Sequence, residues 1–221
     1  METPTTDESA MQNDYNYVSV IFQAFLQPIV DLFDLMEQKQ PKEPNQVQAS
    51  RAENGYAASI AVLAALVIES VCNRTRYVRN DNDRKESAQT LRDLGAVDLA
   101  DEVEEIFVLR DVIAHNHIWE ANIADDDKEG LILLSASKRE GYGDAKFDRA
   151  VDLETRQTRR LRLDVFPNRV HRQTAVVVIQ KCAEVLRFVE KVNFKFLGSA
   201  DPYVTWQNRR VAFYKWADDR R

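Results

Sequence analysis

At 221 residues and 25.5 kDa, with 44% hydrophobic and 30% charged residues, the chain has apolar material for one large or two small domains and is not disordered overall. A formal charge of -6 and a pI near 5.2 exclude a protein that coats nucleic acid through bulk charge. Six Gly and six Pro are too few for an all-β fold with many tight turns, so long helices are expected.

Residues 1–14 hold Asp7, Glu8 and Asp14 with no Lys, no Arg and no apolar core. They read as a disordered acidic start, neither a secretory signal nor a transit peptide. Residues 15–53 form an N-terminal helix and linker expected to pack on a bundle. Tyr17, Ile21, Phe25, Ile29, Leu32 and Met36 recur at steps of three and four, as on an amphipathic helix. Pro28 falls inside that helix and must kink or divide it, because proline has no amide hydrogen and its ring crowds the preceding turn. Lys39 to Ser50 is a polar linker.

A second helix is predicted from an N-cap at Asn54 to about Val78, its first half nearly all apolar and therefore buried. The apolar run Gly55 to Ile68 has about 14 residues, short of the roughly 20 that span a bilayer. No membrane span is expected, and the chain reads as cytoplasmic. Arg79 to Lys85 is a charged turn, followed by a short helix from Ser87 to Leu94 that Gly95 closes. Asp98 is predicted to cap the next helix, reaching about Asn122. Its apolar positions, from Val103 and Ile106 through Val112 to Ile118, go most of the way round, so it is central or packs on two partners.

Residues 125–167 read as an insertion, strand-rich over about 130–166, in which Leu131 to Ser137 and Arg159 to Val165 are predicted strands flanking the turn at Gly141 to Gly143. A last long helix is predicted from about Asn168 to Phe194. The bundle with its insertion spans 54–197, and 198–221 is an aromatic and basic C-terminal segment. Cys72 and Cys182 lie in apolar helical stretches and are expected to be free core thiols.

Most catalytic templates fail: there is no P-loop, dinucleotide-binding glycine fingerprint, zincin helix or nucleophile-elbow serine. The candidates narrow to histidines, of which His115 and His117 sit in Leu109 to Trp119 beside Arg110, Asp111 and Asn116. Asp111 and His115 are four residues apart, about 40° on a helical wheel, so Asp111 can orient the imidazole, and Glu104 shares that stripe. Arg110 and His115 are about 140° apart. They converge on one phosphate through the reach of the arginine, a helix distortion or a second subunit.

The segment Arg110-Asp111-Val112-Ile113-Ala114-His115 resembles the signature of the HEPN superfamily: an Arg, usually a polar residue after it, and a His four to six residues beyond the Arg. The resemblance covers about residues 54 to 194, with the motif near the end of a long helix between two others. It implies a mainly α, HEPN-like helical bundle that forms a homodimer, and a metal-independent RNA endonuclease that needs no cofactor.

On that reading His115 is the general base on a ribose 2'-hydroxyl or the general acid on the leaving 5'-oxygen. Arg110 binds the scissile phosphate, and Asp111 positions His115 or the partner's arginine. Asn116 and His117 would contact phosphate or base, with Glu69 and Glu104 as supporting neighbours. The product would carry a 2',3'-cyclic phosphate. A toxin or antiphage role, with an antitoxin or sensor protein, is the implied setting. One toxin subgroup carries a tyrosine two positions after this histidine, and its antitoxin transfers a nucleotide there; this chain has His117 instead, so that silencing is not expected.

Each feature has a plainer alternative. The Arg-Asp-His set can be a structural salt bridge with a capped histidine, or part of a non-catalytic HEPN-like module that binds nucleotide or protein. Glu69 can simply end a buried stripe. Arg156, Arg159, Arg160, Arg162, Arg169 and Arg172 against Asp164 make a net +5, either a solvated face or a surface that holds an RNA backbone. His171 belongs to that patch or the surface, and Trp206, Phe213 and Trp216 are expected to pack on the bundle rather than stack bases. Asp98 to Glu129 has eleven acids against Arg110 and Lys128, a net -9, so one stretch accounts for the acidity of the whole chain.

Overall fold

The computed structural model describes residues 21–43, 46–115, 118–126, 130–198 and 202–220, and these are mainly helical. Helix α1 (Phe22–Glu37) runs unbroken past Pro28, and its buried face includes Phe22, Leu26, Ile29, Phe33 and Met36. The proline is thus accommodated within one helix. The expected position Tyr17, the acidic start at 1–14, and residues 44–45 of the linker lie outside the described residues.

Helix α2 (Arg51–Val78) begins four residues earlier than expected because Ser50 caps it, its hydroxyl accepting from the Glu53 amide at 3.2 Å. Asn54 instead donates from one side-chain nitrogen to the carbonyls of Pro167 (2.8 Å) and Val170 (2.9 Å), tying the start of α2 to a segment over a hundred residues away. Among the described residues α2 is long and apolar enough to cross a membrane by composition, yet 50% of its most apolar window is buried inside the protein. It is the central helix, packed by α1 on one side and by α4 and α6 on others.

Short α3 (Ser87–Asp93) ends in a Schellman motif: the Ala96 amide donates to Leu91 and the Gly95 amide to Arg92, with Gly95 at φ +92. Helix α4 (Val97–His115) follows directly, with Asp98 in its first turn rather than at its cap. Leu99, Val103, Ile106 and Leu109 enter the main core, whereas Val108 and Val112 enter a smaller cluster with Ile118, Phe147, Val151 and Val165. Two separate cores therefore share this helix, which explains its apolar positions on nearly every side.

Three expectations are corrected here. Helix α4 is Val97–His115, and Trp119 to Asn122 belong to a strand rather than to that helix. Strand β1 (Trp119–Asp126) pairs antiparallel with β2 (Gly130–Lys138) across a bulge at Asn122/Ile123. Pairing of Trp119 to Asn122 with Ser135 to Lys138 overrides helical propensity, and the Trp119 indole donates to the Val165 carbonyl at 2.6 Å. Arg159 to Val165 is not a strand. Arg156 and Arg162 take left-handed φ values of 56° and 55°, and the amides of Arg160 and Leu161 donate, each at 2.8 Å, to the buried carboxylate of Glu105 instead of to a strand partner. An additional helix, α5 (Ala145–Ala150), is capped by Asp144, whose Oδ1 accepts from the Phe147 amide at 2.8 Å. The residues after it form a two-residue ladder of β3 (Val151–Asp152) with β4 (Gln157–Thr158).

Helix α6 (Arg172–Val192) has His171 as its N-cap, after a short 3-10 turn at Pro167–Arg169, and a second 3-10 turn follows at Phe194–Phe196. The C-terminal segment folds as a hairpin, β5 (Tyr203–Trp206) with β6 (Arg209–Ala212), followed by α7 (Phe213–Asp218). Gln207 and Asn208 both have positive φ, as a two-residue type I' turn requires. Phe213 and Trp216 are buried in the main core, and Trp206 packs on it half-buried. Gln27 of α1 pairs through its amide with both backbone groups of Thr205, so the hairpin is latched to the first helix.

Candidate functional site

Arg110 and Asp111 occupy the last turns of α4, and His115 is its final residue, exposed. The side chain of Arg110 folds along the helix towards Asp111. Its Nε (2.9 Å) and one terminal nitrogen (2.7 Å) donate to Oδ1 of Asp111, and the other terminal nitrogen lies 3.5 Å from Glu69 on α2. The guanidinium rests over the Phe107 ring, 5.0 Å from its centroid. Asp111 lies between Arg110 and His115 around the helix, so the arginine spans much of the 140° separation by its own length.

Asp111 and His115 line one cleft of about 230 Å³. Its floor is Val108, Val112, Ile118 and Phe147, all buried, and its far rim is the turn Tyr142 to Asp144. The insertion therefore supplies one wall and α4 the other. Arg139 lies over the Tyr142 ring, 4.4 Å from its centroid. Gly143 adopts φ +82 and lies so close to Phe147 that a Cβ there would meet the ring at 3.0 Å. In the sequence the Gly-Tyr-Gly turn reads only as a strand connection; Asp144 directly after it, a helix cap, is the local signal for the rim.

Glu69 lies 3.5 Å from Arg110. Glu104 is instead buried between Arg92 of α3, at 2.9 Å, and Arg149 of α5. The shared stripe on the helical wheel misled because α3 and α5 carry cations to that position. Burial raises the Glu104 pKa, but the bonds from Arg92 and Arg149 outweigh it and hold the carboxyl below its ordinary value.

The arginine cluster is also divided. Arg172 donates to the carbonyls of Met36 (3.1 Å), Glu37 (3.4 Å) and Lys39 (3.1 Å), closing the C-terminal end of α1. Arg160 bonds Asp98 at 3.1 Å and Asp101 at 2.6 Å, and Arg169 approaches Asp164 at 3.5 Å. These three are committed within the protein. Arg159, which donates to the Arg149 carbonyl at 3.1 Å, and Arg162 are exposed. His171 holds the Arg169 carbonyl at 2.8 Å through Nδ1. Asn116 and His117 lie outside the described residues.

Both cysteines are free and buried. Burial pushes the Cys72 thiol up to about 12 and raises that of Cys182 as well, so neither is a nucleophile at neutral pH. Among the described residues no group of three His, Cys, Asp or Glu side chains is arranged to hold a metal ion. No family model, curated protein or solved structure matches the chain.

Proposed function

We propose that the protein is a HEPN-type, metal-independent RNA endonuclease that acts as a cytoplasmic homodimer. The observation that carries this reading is the grouping at the end of α4: Arg110 is bonded to Asp111, and Asp111 shares a cleft with His115. A cation for a phosphate is thus bonded to a carboxylate that lines the same cleft as an imidazole able to transfer protons.

In the reaction, the ribose 2'-oxygen attacks the adjacent phosphorus and gives up its proton to an imidazole. The bond to the 5'-oxygen breaks, and that oxygen takes a proton from an imidazolium. His115 of each protomer can serve one of these roles. The products are a 2',3'-cyclic phosphate and a 5'-hydroxyl. Arg110 steadies the non-bridging oxygens, exchanging its long contact with Glu69 for the phosphate. Such an enzyme suits a toxin or antiphage system, in which an antitoxin or sensor protein restrains it.

The test is incubation of purified protein with RNA in EDTA. Cleavage with cyclic-phosphate ends, lost in His115→Ala while the dimer stays folded, is expected; full activity in that variant removes His115 from the mechanism. The specific observation favouring a second reading is that Arg110 already faces two carboxylates, Asp111 and Glu69. On that reading the protein is a non-catalytic HEPN-like module that binds a nucleotide or protein, and RNA stays intact in the same assay.

A further inference from the structure

We infer that the cleft between α4 and the Tyr142 to Asp144 turn is a nucleobase subsite that prefers guanine to uracil next to the scissile phosphate. The inference rests on the RNA reading above for its class of ligand. Its starting point is size: about 230 Å³ is below the roughly 300–1,000 Å³ of pockets that enclose drug-sized ligands, so the cleft admits one flat ring system and not a whole nucleotide. The floor of Val108, Val112, Ile118 and Phe147 offers apolar contact to such a ring, and Tyr142, with Arg139 over its ring, lines the rim.

Charge decides which part of a nucleotide enters. The cleft is lined by two carboxylates, Asp111 and Asp144, and a phosphate entering it would meet both. The phosphate therefore stays beside Arg110, and the neutral base goes in. Each carboxylate has its Oδ1 fixed within the protein, Asp111 by Arg110 and Asp144 by the Phe147 amide, which sets its orientation. The second oxygen of each, Oδ2, is an acceptor. Guanine presents N–H donors at both N1 and N2 on its Watson–Crick edge, whereas uracil presents a single one at N3. Two acceptors in one cleft thus favour guanine over uracil. Gly143 keeps this rim free of a side chain, with the chain in a left-handed conformation hard against Phe147.

The experiment is saturation-transfer NMR and titration of the full chain with 5'-GMP and 5'-UMP. The guanine H8 should receive more saturation than the ribose protons, and GMP should bind about tenfold tighter than UMP, within the range of a two-point base contact. Asp144→Asn keeps the helix cap, because Asn caps as well as Asp, but removes the charged acceptor, so the preference for GMP should fall about tenfold. Tyr142→Ala should weaken both nucleotides. Equal binding of GMP and UMP, saturation confined to the ribose, or an unchanged preference in folded Asp144→Asn overturns the subsite; if that variant fails to fold, the wild-type ratio and Tyr142→Ala decide. Guanine-selective binding by a protein that leaves RNA intact keeps the subsite and removes the nuclease, whereas RNA cleavage without base preference does the reverse.

Discussion

Replacing Glu104 with Ala tests how α4 is held against its neighbours. Glu104 is 8% exposed and receives Arg92 at 2.9 Å on one side and Arg149 on the other. Breaking a buried ion pair costs about 3–5 kcal/mol when the partner charge is left stranded. Here the strand of cost is shorter. Arg92 retains Asp101 at 2.7 Å, and the Arg149 side chain, 65% exposed, returns to water. The expected loss is about 2–3 kcal/mol, and at roughly 2–4 °C per kcal/mol for a chain of this size the Tm falls by about 4–12 °C at pH 7. The pH dependence has a definite sign. A carboxyl whose folded pKa is lowered contributes fully above the unfolded value and loses that contribution as the pH falls through the folded one. The gap between wild type and variant is therefore full at pH 7 and narrows on acidification below the ordinary carboxylate range. Thermal melts by circular dichroism across this range make the measurement. A Tm within about 1 °C of wild type at pH 7, or a gap that widens in acid, would show that the pairs contribute nothing.

Two further substitutions probe the C-terminal end of α1 and the docking of the C-terminal segment. Arg172→Ala removes the donor that holds the carbonyls of Met36, Glu37 and Lys39, and should cost about 1–3 kcal/mol in a denaturant titration; an unchanged midpoint would mean that solvent satisfies those carbonyls equally well. Arg220 lies among the rings of Trp206, Trp216 and Phe33, at 4.6, 4.9 and 5.5 Å from their centroids. Arg220→Ala should lower stability by about 0.5–2 kcal/mol and change the tryptophan emission, while Arg220→Lys retains part of the cation–π contact. Identical emission spectra for all three proteins would count against that docking.

Local patterning carried much of the architecture. Apolar recurrence at three and four marked α1, because a helix burying one stripe needs only its own residues to announce itself, and a nearly all-apolar first half marked α2. Gly95 announced the end of α3, since the left-handed φ it takes is one that few other residues adopt. The apolar circumference of α4 was legible too, and it reflects the two cores that meet there. Arg110, Asp111 and His115 were readable as a set because they share the end of one helix.

Pairings between distant segments were not legible. Trp119 to Asp126 is a strand because β2 lies beside it, and the turns at Arg159 to Val165 persist because Glu105 takes their amides from 55 residues away. Glu104 and Arg172 looked like parts of a site and are held by Arg92, Arg149 and the end of α1. The cleft beside His115 exists only because the insertion folds Tyr142 to Asp144 against α4. Periodicity reports which face of an element is buried; which charges meet across elements, and which side chains share a cleft, is decided when burial brings those elements together and each polar group must find a partner.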